Sequence, residues 1–417
     1  MRILRGNIIE AQSLGKLRTI EHGYIILNSS GVIRGVYEEL PSVDGEIEDY
    51  GEALILQGFC DMHIHAPQYP LRGMGMDKPL IEWLNEYVFP LEAEYSDTAY
   101  ARTVYRQLSE KLIRNGTTRV CMFSSLHTDA TLVLMEELEK AGISGYVGKV
   151  NMDRNGGEHL QETTEESERE TLRWLEESKR FTRIKPIITP RFTPACTDEL
   201  MAWLGRTAEE RGLRVQSHLS ENRDEIRWVK SLHPDCEQYW ETYDKYGLFR
   251  ENTLMAHCVY SDEREIRAMK EKGVICVHCP DSNVNLTSGT APIRRMLDEG
   301  VRVVLGSDVA AGADVEMYKV AASAVRASKV KRMEKNYSVD FLSTSEAYYL
   351  ATTAGELYFG DEPGFAPGNR LHAVVVDDSS FPRCPERLTL TERLERALYL
   401  MNEENIIAVW ADGRKVR

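Results

Sequence analysis

Between residues 58 and 308, eight apolar, β-prone runs alternate with polar segments of helical period. The strand candidates are 58–65, 118–123, 145–151, 184–189, 213–218, 253–257, 274–278 and 302–306. Helical patterns fall between them at 99–114, 164–179, 198–211, 221–232, 262–272 and 292–299. Such alternation leaves few folds open, and eight repeats point to an α/β chain built as a (β/α)8 TIM barrel. A barrel needs about 250 residues, so a 417-residue chain has material for a second unit. Residues 1–57 and 364–417 are both rich in short β-patterns separated by Gly, Ser and Asn. Neither end alone carries enough strands for a stable sheet. The expectation is one small β-sandwich domain from 1–57 and 364–417, with the barrel at 58–363.

The first barrel strand ends in chemistry. Leu54-Ile55-Leu56 leads into Gly58-Phe59-Cys60-Asp61-Met62-His63-Ile64-His65. Strand side chains alternate faces, so His63 and His65 point one way and Ile64 the other. Barrel active sites lie at the C-terminal ends of the strands. There this chain also places His218 on strand five, His257 on strand six and Asp308 after strand eight. Singly, a histidine is often structural, and Asp308 could cap the next helix. Five such residues at one end of four strands point instead to a divalent metal: three histidines and one carboxylate, with room for a water. His257 could be a further nitrogen ligand, but Asp308 already completes the set, so the favoured role is a hydrogen bond to the reacting water. Glu221, three residues past His218, reads as a general acid/base beside that water, or as a carboxylate at a helix start. Strand four ends Ile188-Thr189-Pro190-Arg191-Phe192, without the lysine that a two-metal barrel hydrolase uses as a bridge, so one metal is expected. The zinc signature of the cytidine-deaminase fold is missing.

Two other stretches need weighing. Cys276-Val277-His278-Cys279 could be a redox or zinc motif, but no second ligand pair accompanies it, and a buried strand is favoured. Residues 66–94 are rich in Pro, Gly, Met and aromatics and read as a pocket wall or lid at the barrel mouth.

Composition excludes several function classes. The formal charge of −15 disfavours nucleic acid and anionic membrane as partners. The N-terminus lacks the apolar core of a signal peptide, and no run of about 18 apolar residues occurs. Eight scattered cysteines, several in apolar runs, suit reduced thiols and a cytoplasmic location.

Longer motifs carry a resemblance. They are His63-Ile64-His65-Ala66-Pro67-Gln68-Tyr69-Pro70, Glu82-Trp83-Leu84, Thr189-Pro190-Arg191-Phe192, Gln216-Ser217-His218-Leu219-Ser220-Glu221, Met255-Ala256-His257 and Gly306-Ser307-Asp308. Together they resemble the amidohydrolase superfamily and, within it, the guanine deaminase family, over about residues 55–360. The resemblance implies hydrolytic deamination of guanine to xanthine and ammonia in purine catabolism. It implies His63, His65, His218 and Asp308 as metal ligands, Glu221 as proton shuttle and His257 and Asp308 as its catalytic companions. Gln68, Arg191 and Phe192 match purine contacts, and Trp83 could pack on the ring beside Phe192. Zn2+ is the expected ion, with Fe2+ the alternative, since imidazole and carboxylate suit both. A homodimer is also implied. The alternative substrate is another aminated ring, a modified guanine or a pterin. The chain departs from the family pattern at Gln57, Lys78, Asp281 and His372, of which Lys78 and Asp281 are expected near the pocket.

Overall fold

The structure is a computed structural model that describes residues 1–157 and 160–417. The N-terminal strands are β1 (Arg2–Ser13), β2 (Lys16–Leu27), β3 (Ile33–Tyr37) and β4 (Glu46–Gln57). The barrel follows with β5 (Phe59–His65), β6 (Thr117–Phe123), β7 (Ser144–Gly148), β8 (Val150–Asn151), β9 (Ile184–Pro186) and β10 (Thr189–Pro190). It continues with β11 (Gln216–Leu219), β12 (Leu254–His257), β13 (Ile275–His278) and β14 (Arg302–Leu305). The chain closes with β15 (Ala373–Val376), β16 (Ile406–Ala411) and β17 (Arg414–Lys415).

Strands from both ends form one sheet in the order β17-β16-β15-β4-β1-β2-β3. β15 runs antiparallel to β4, and β1 runs parallel to it, so the late strands dock directly on an early one. Both faces of this sheet are covered, which explains the unbroken apolar run at the end of β4. Ala53 and Ile55 face a core with Leu4, Ile8, Val375 and Trp410. Leu54 and Leu56, one residue out of phase, join Ile9, Val374 and Val376 in the core shared with the barrel helices. Gln57 ends β4 at this junction. Its side chain accepts from Ala11 N at 2.6 Å and donates to Thr353 Oγ1 at 2.9 Å and Glu356 Oε2 at 2.7 Å. The departure from the family pattern here is thus a buried, satisfied amide.

The barrel strands form two parallel four-stranded sheets, β5-β6-β7-β9 and β11-β12-β13-β14. Two expected strands are each split. 145–151 breaks into β7 and β8 around buried Lys149, which pairs with Glu162 at 2.7 Å. 184–189 breaks into β9 and β10 after Pro186, which has no N–H to give the ladder. β8 and β10 then pair with each other. The halves join where Ile188 N donates to Arg214 O and Gln216 N to Ile188 O. The other seam joins the first strand to the last. There Asp308 N donates to His63 O at 2.8 Å and His65 N to Val309 O at 3.1 Å. Close approach at this seam requires Gly306, since a Cβ there would lie 2.6 Å from His63 Cβ. Asp61, mid-strand and buried, holds the seam by accepting from Ser307 N (2.9 Å) and Ser307 Oγ (2.6 Å).

The connection after β5 is a series of short helical turns: Ala66–Leu71, Leu80–Trp83, Leu84–Val88, Phe89–Ala93 and Glu94–Ser96. The Cys276–Cys279 stretch is β13 and its end, with both thiols buried. Among the described residues no helix is long and apolar enough to cross a membrane.

Candidate active site

His63 and His65 are the last same-face pair of β5, while Ile64 packs the opposite way among Leu112, Val120 and Met122. Seam closure brings Asp308 to them. Its Oδ1 lies 3.2 Å from His63 Nε2 and 3.5 Å from His65 Nε2. His218 arrives from β11, its Nε2 3.1 Å from His65 Nε2. The other ring nitrogen, Nδ1, donates to Arg191 O at 2.6 Å. A carbonyl only accepts, so this bond fixes the tautomer and leaves Nε2 of His218 as a lone pair. Phe123, at the end of β6, packs its ring 4.9, 4.7 and 4.9 Å from the rings of His63, His65 and His218 and limits how they can rotate.

Electrostatics agree with a cation site. Burial and the neighbouring imidazoles hold His65 and His218 well below the ordinary histidine range, so both rings are neutral. Burial pushes the Asp308 carboxyl up, but His63 and His257 outweigh it and hold the group below the ordinary carboxylate range. His63 Nε2 is buried and makes no well-aligned hydrogen bond, with only Asp308 Oδ1 close by. Neutral imidazoles with aimed lone pairs, an orphaned ring nitrogen and one carboxylate are the donor set a divalent ion takes.

His257 and Glu221 stand beside this set. His257 Nδ1 donates to Asn283 Oδ1 at 2.9 Å, which turns Nε2 toward Glu221 Oε2 (3.5 Å) and Asp308 Oδ2 (3.9 Å). His63, His218 and His257 also place one nitrogen each within 4.8 Å of one another, and so do His63, Cys279 and Asp308 with their donor atoms. Burial raises the Cys279 thiol far above its ordinary range, which keeps it protonated.

Glu221 lies two residues before the helix Arg223–Leu232 and does not serve that helix as a cap. Glu225 does so in a capping box with Asn222, accepting from Glu221 N at 3.0 Å and Asn222 N at 3.1 Å, and from Tyr239 OH at 2.7 Å. Glu221 is thereby left facing the cavity, with His257 Nε2 beside one carboxylate oxygen and a long hydrogen bond from Ser288 Oγ at 3.4 Å to the other. Burial, then the charges of Glu225 and Asp308, push its carboxyl well above the carboxylate range. Glu221 is a buried carboxyl at the edge of the histidine cluster, biased by burial toward its protonated form.

A cavity opens over these groups, walled by Leu80, Trp83, Phe192 and Leu286, with Gln68 and Arg191 as its polar members. Trp83 is pinned by Nε1 donating to Met74 O at 3.0 Å, and Phe192 stands edge-on to Trp228. Lys78 and Asp281, expected near the pocket, line no part of it. Lys78 pairs with Glu86 at 2.9 Å, and Asp281 accepts from Ser323 Oγ.

Residues 54–416 match the Amidohydrolase family. The chain belongs to this family. Guanine deaminase of Dictyostelium discoideum is 33% identical over all of this chain and 98% of its own length. That of Escherichia coli is 32% identical over 100% of this chain and 98% of its own. A crystal structure of guanine deaminase from C. acetobutylicum, with guanine bound in its active site, superposes with a TM-score of 0.97 at 44% identity over the whole of both chains.

Four residues of this amidohydrolase site escape sequence reasoning: Asp61, Phe123, Glu225 and Glu92, the last a buried carboxylate that accepts from Arg191 Nη1 at 2.5 Å. Two of them leave a signal. Asp61 is a carboxylate inside an apolar strand, and Asn222-Arg223-Asp224-Glu225 has capping-box spacing. Glu92 and Phe123 leave none, because a Glu in a short helix and a Phe in a strand are ordinary.

Proposed function

We propose that this amidohydrolase hydrolyses guanine to xanthine and ammonia, with one divalent ion held by His63, His65, His218 and Asp308. Zn2+ is our reading of the ion. The observation that carries the reading is a buried Glu221 beside the His63, His65, His218, His257 and Asp308 cluster, below an apolar cavity with Gln68 and Arg191 in its wall. The guanine-bound relative of the same fold supports the choice of ring. When bound, the ion supplies Lewis acidity that makes water a nucleophile near neutral pH.

The side chains divide the remaining work. Asp308 and His257 face the reacting water and accept its proton. Glu221 gives its proton to the ring nitrogen beside C2 as the water oxygen adds at C2. Glu221, now ionised, takes the proton of the new C2 hydroxyl and passes it to the amino group; the C2–N bond breaks, ammonia leaves, a C2 carbonyl remains, and the proton held by Asp308 or His257 returns to Glu221. Arg191 donates to the carbonyl oxygen that guanine has and adenine lacks. Gln68 reads a ring N–H, and Phe192 and Trp83 pack on the ring faces. The reading extends to a homodimer in the cytoplasm, which the family resemblance and the free thiols support.

The test is a paired assay of ammonia and xanthine formation by the metal-loaded protein. Guanine, adenine, cytosine and a pterin are compared, with Glu221→Gln as control. Xanthine from guanine, lost in the variant, is the expected result. Activity on the pterin and none on guanine would overturn the substrate and retain the site.

A further inference from the structure

Glu92 lies behind the pocket on the turn Phe89–Ala93 and is 1% exposed. It receives Arg191 Nη1 at 2.5 Å and Nη2 at 3.1 Å, and also Gln68 Nε2 at 2.9 Å. The Arg191 guanidinium lies 5.1 Å from the Phe89 ring centre. One buried carboxylate therefore holds both polar members of the cavity wall.

Two consequences follow from donor and acceptor counting. An ionised carboxylate only accepts, so Gln68 must turn its NH2 toward Glu92, which leaves Oε1 as an acceptor. That oxygen lies 3.4 Å from Ala310 N. Arg191 has five N–H groups, spends two on Glu92 and keeps the others for a carbonyl oxygen. Its positive charge is matched at contact distance by the carboxylate, with both side chains out of water at 3% and 1% exposure. The wall thus offers directed dipoles and no net charge.

We propose that Glu92 is a positioning residue that makes this pocket accept neutral rings and disfavour ring anions. The proposal rests on the guanine reading. Guanine is neutral near pH 7, whereas xanthine loses a ring proton not far above neutrality. An unmatched buried Arg191 would grip that anion through a charge-assisted bond. The matched pair lets the product leave as it ionises. Other titratable groups facing the pair do not change its charge. Burial raises the Tyr95 and Tyr105 phenols far out of range and lowers His127, so all three are neutral.

The experiment is calorimetric titration of metal-loaded protein with xanthine, about one pH unit either side of its first ring ionisation. Guanine turnover is measured in parallel. Wild type should bind the neutral form at least as tightly as the anion. Glu92→Gln should bind the anion tighter by about tenfold or more. Gln68→Ala removes one contact and keeps the charge match, so it should raise KM for guanine with the wild-type pH dependence of xanthine binding. Tighter binding of the anion by wild type, or a wild-type profile in Glu92→Gln, overturns the proposal. If Glu92→Gln does not fold, wild type and Glu92→Asp decide. The shorter acid keeps the charge and must keep the profile, and a gain of anion affinity there also overturns the proposal. Absence of guanine turnover in wild type would retire the functional reading, whereas turnover with anion-preferring binding retires this inference alone.

Discussion

Glu356→Gln should flatten the pH dependence of stability at the junction of sheet and barrel. Glu356 is buried, accepts from Gln57 Nε2 at 2.7 Å, and has its carboxyl pushed by burial up to about 8 from an ordinary 4.5. The folded state therefore binds this proton more tightly than the unfolded chain does. The stabilisation is fully present below pH 4.5 and is lost as pH rises through about 8. Between those limits the slope is about 1.4 kcal/mol per pH unit, which bounds the whole effect at about 5 kcal/mol. A glutamine keeps the acceptor for Gln57 and cannot ionise. Urea unfolding of both proteins, followed at a series of pH values across that window, isolates the contribution, because every other titrating group is common to the two. Wild type should lose stability relative to the variant as the pH rises, by a few kcal/mol at the alkaline end. Parallel curves would refute the reasoning and show that Glu356 is solvated or charged in the fold.

Glu221→Gln should lower turnover by about two to four orders of magnitude while leaving metal content unchanged by elemental analysis. Gly306→Ala places a Cβ against His63 and should cost about 3 kcal/mol or more, read as a fall in urea midpoint, together with loss of bound metal. Removing the ion with a chelator should lower the melting temperature and abolish activity, and about one equivalent of Zn2+ per chain should restore both. Two or more equivalents needed for restoration would contradict the single-ion reading.

Much of the site was legible because barrels put chemistry at strand ends. The His63-Ile64-His65 alternation, His218, His257 and Asp308 needed only period-2 reasoning and a count of strands. Glu221 was legible as an acid near the histidine cluster, but its freedom from the helix was not, because that depends on Glu225 taking the backbone amides instead. Glu92 was invisible for a different reason. Its partners Gln68 and Arg191 are 24 and 99 residues away, and a glutamate in Phe89-Pro90-Leu91-Glu92-Ala93 has the pattern of a solvated helical face. The splits at Lys149 and after Pro186 went unseen because apolar content continues across them while the ladder does not. Lys78 and Asp281 were misplaced because nearness in sequence to pocket residues did not decide which way their side chains turned.

The seam between β5 and β14 also sets an order of events. His63 and His65 leave the ribosome early, yet the backbone that holds them beside Asp308 is 240-odd residues later in synthesis. A chain stalled or cleaved anywhere between carries the early histidines without the partner that gathers them. The histidine cluster can therefore gather Asp308 only once the chain has been made past the end of β14.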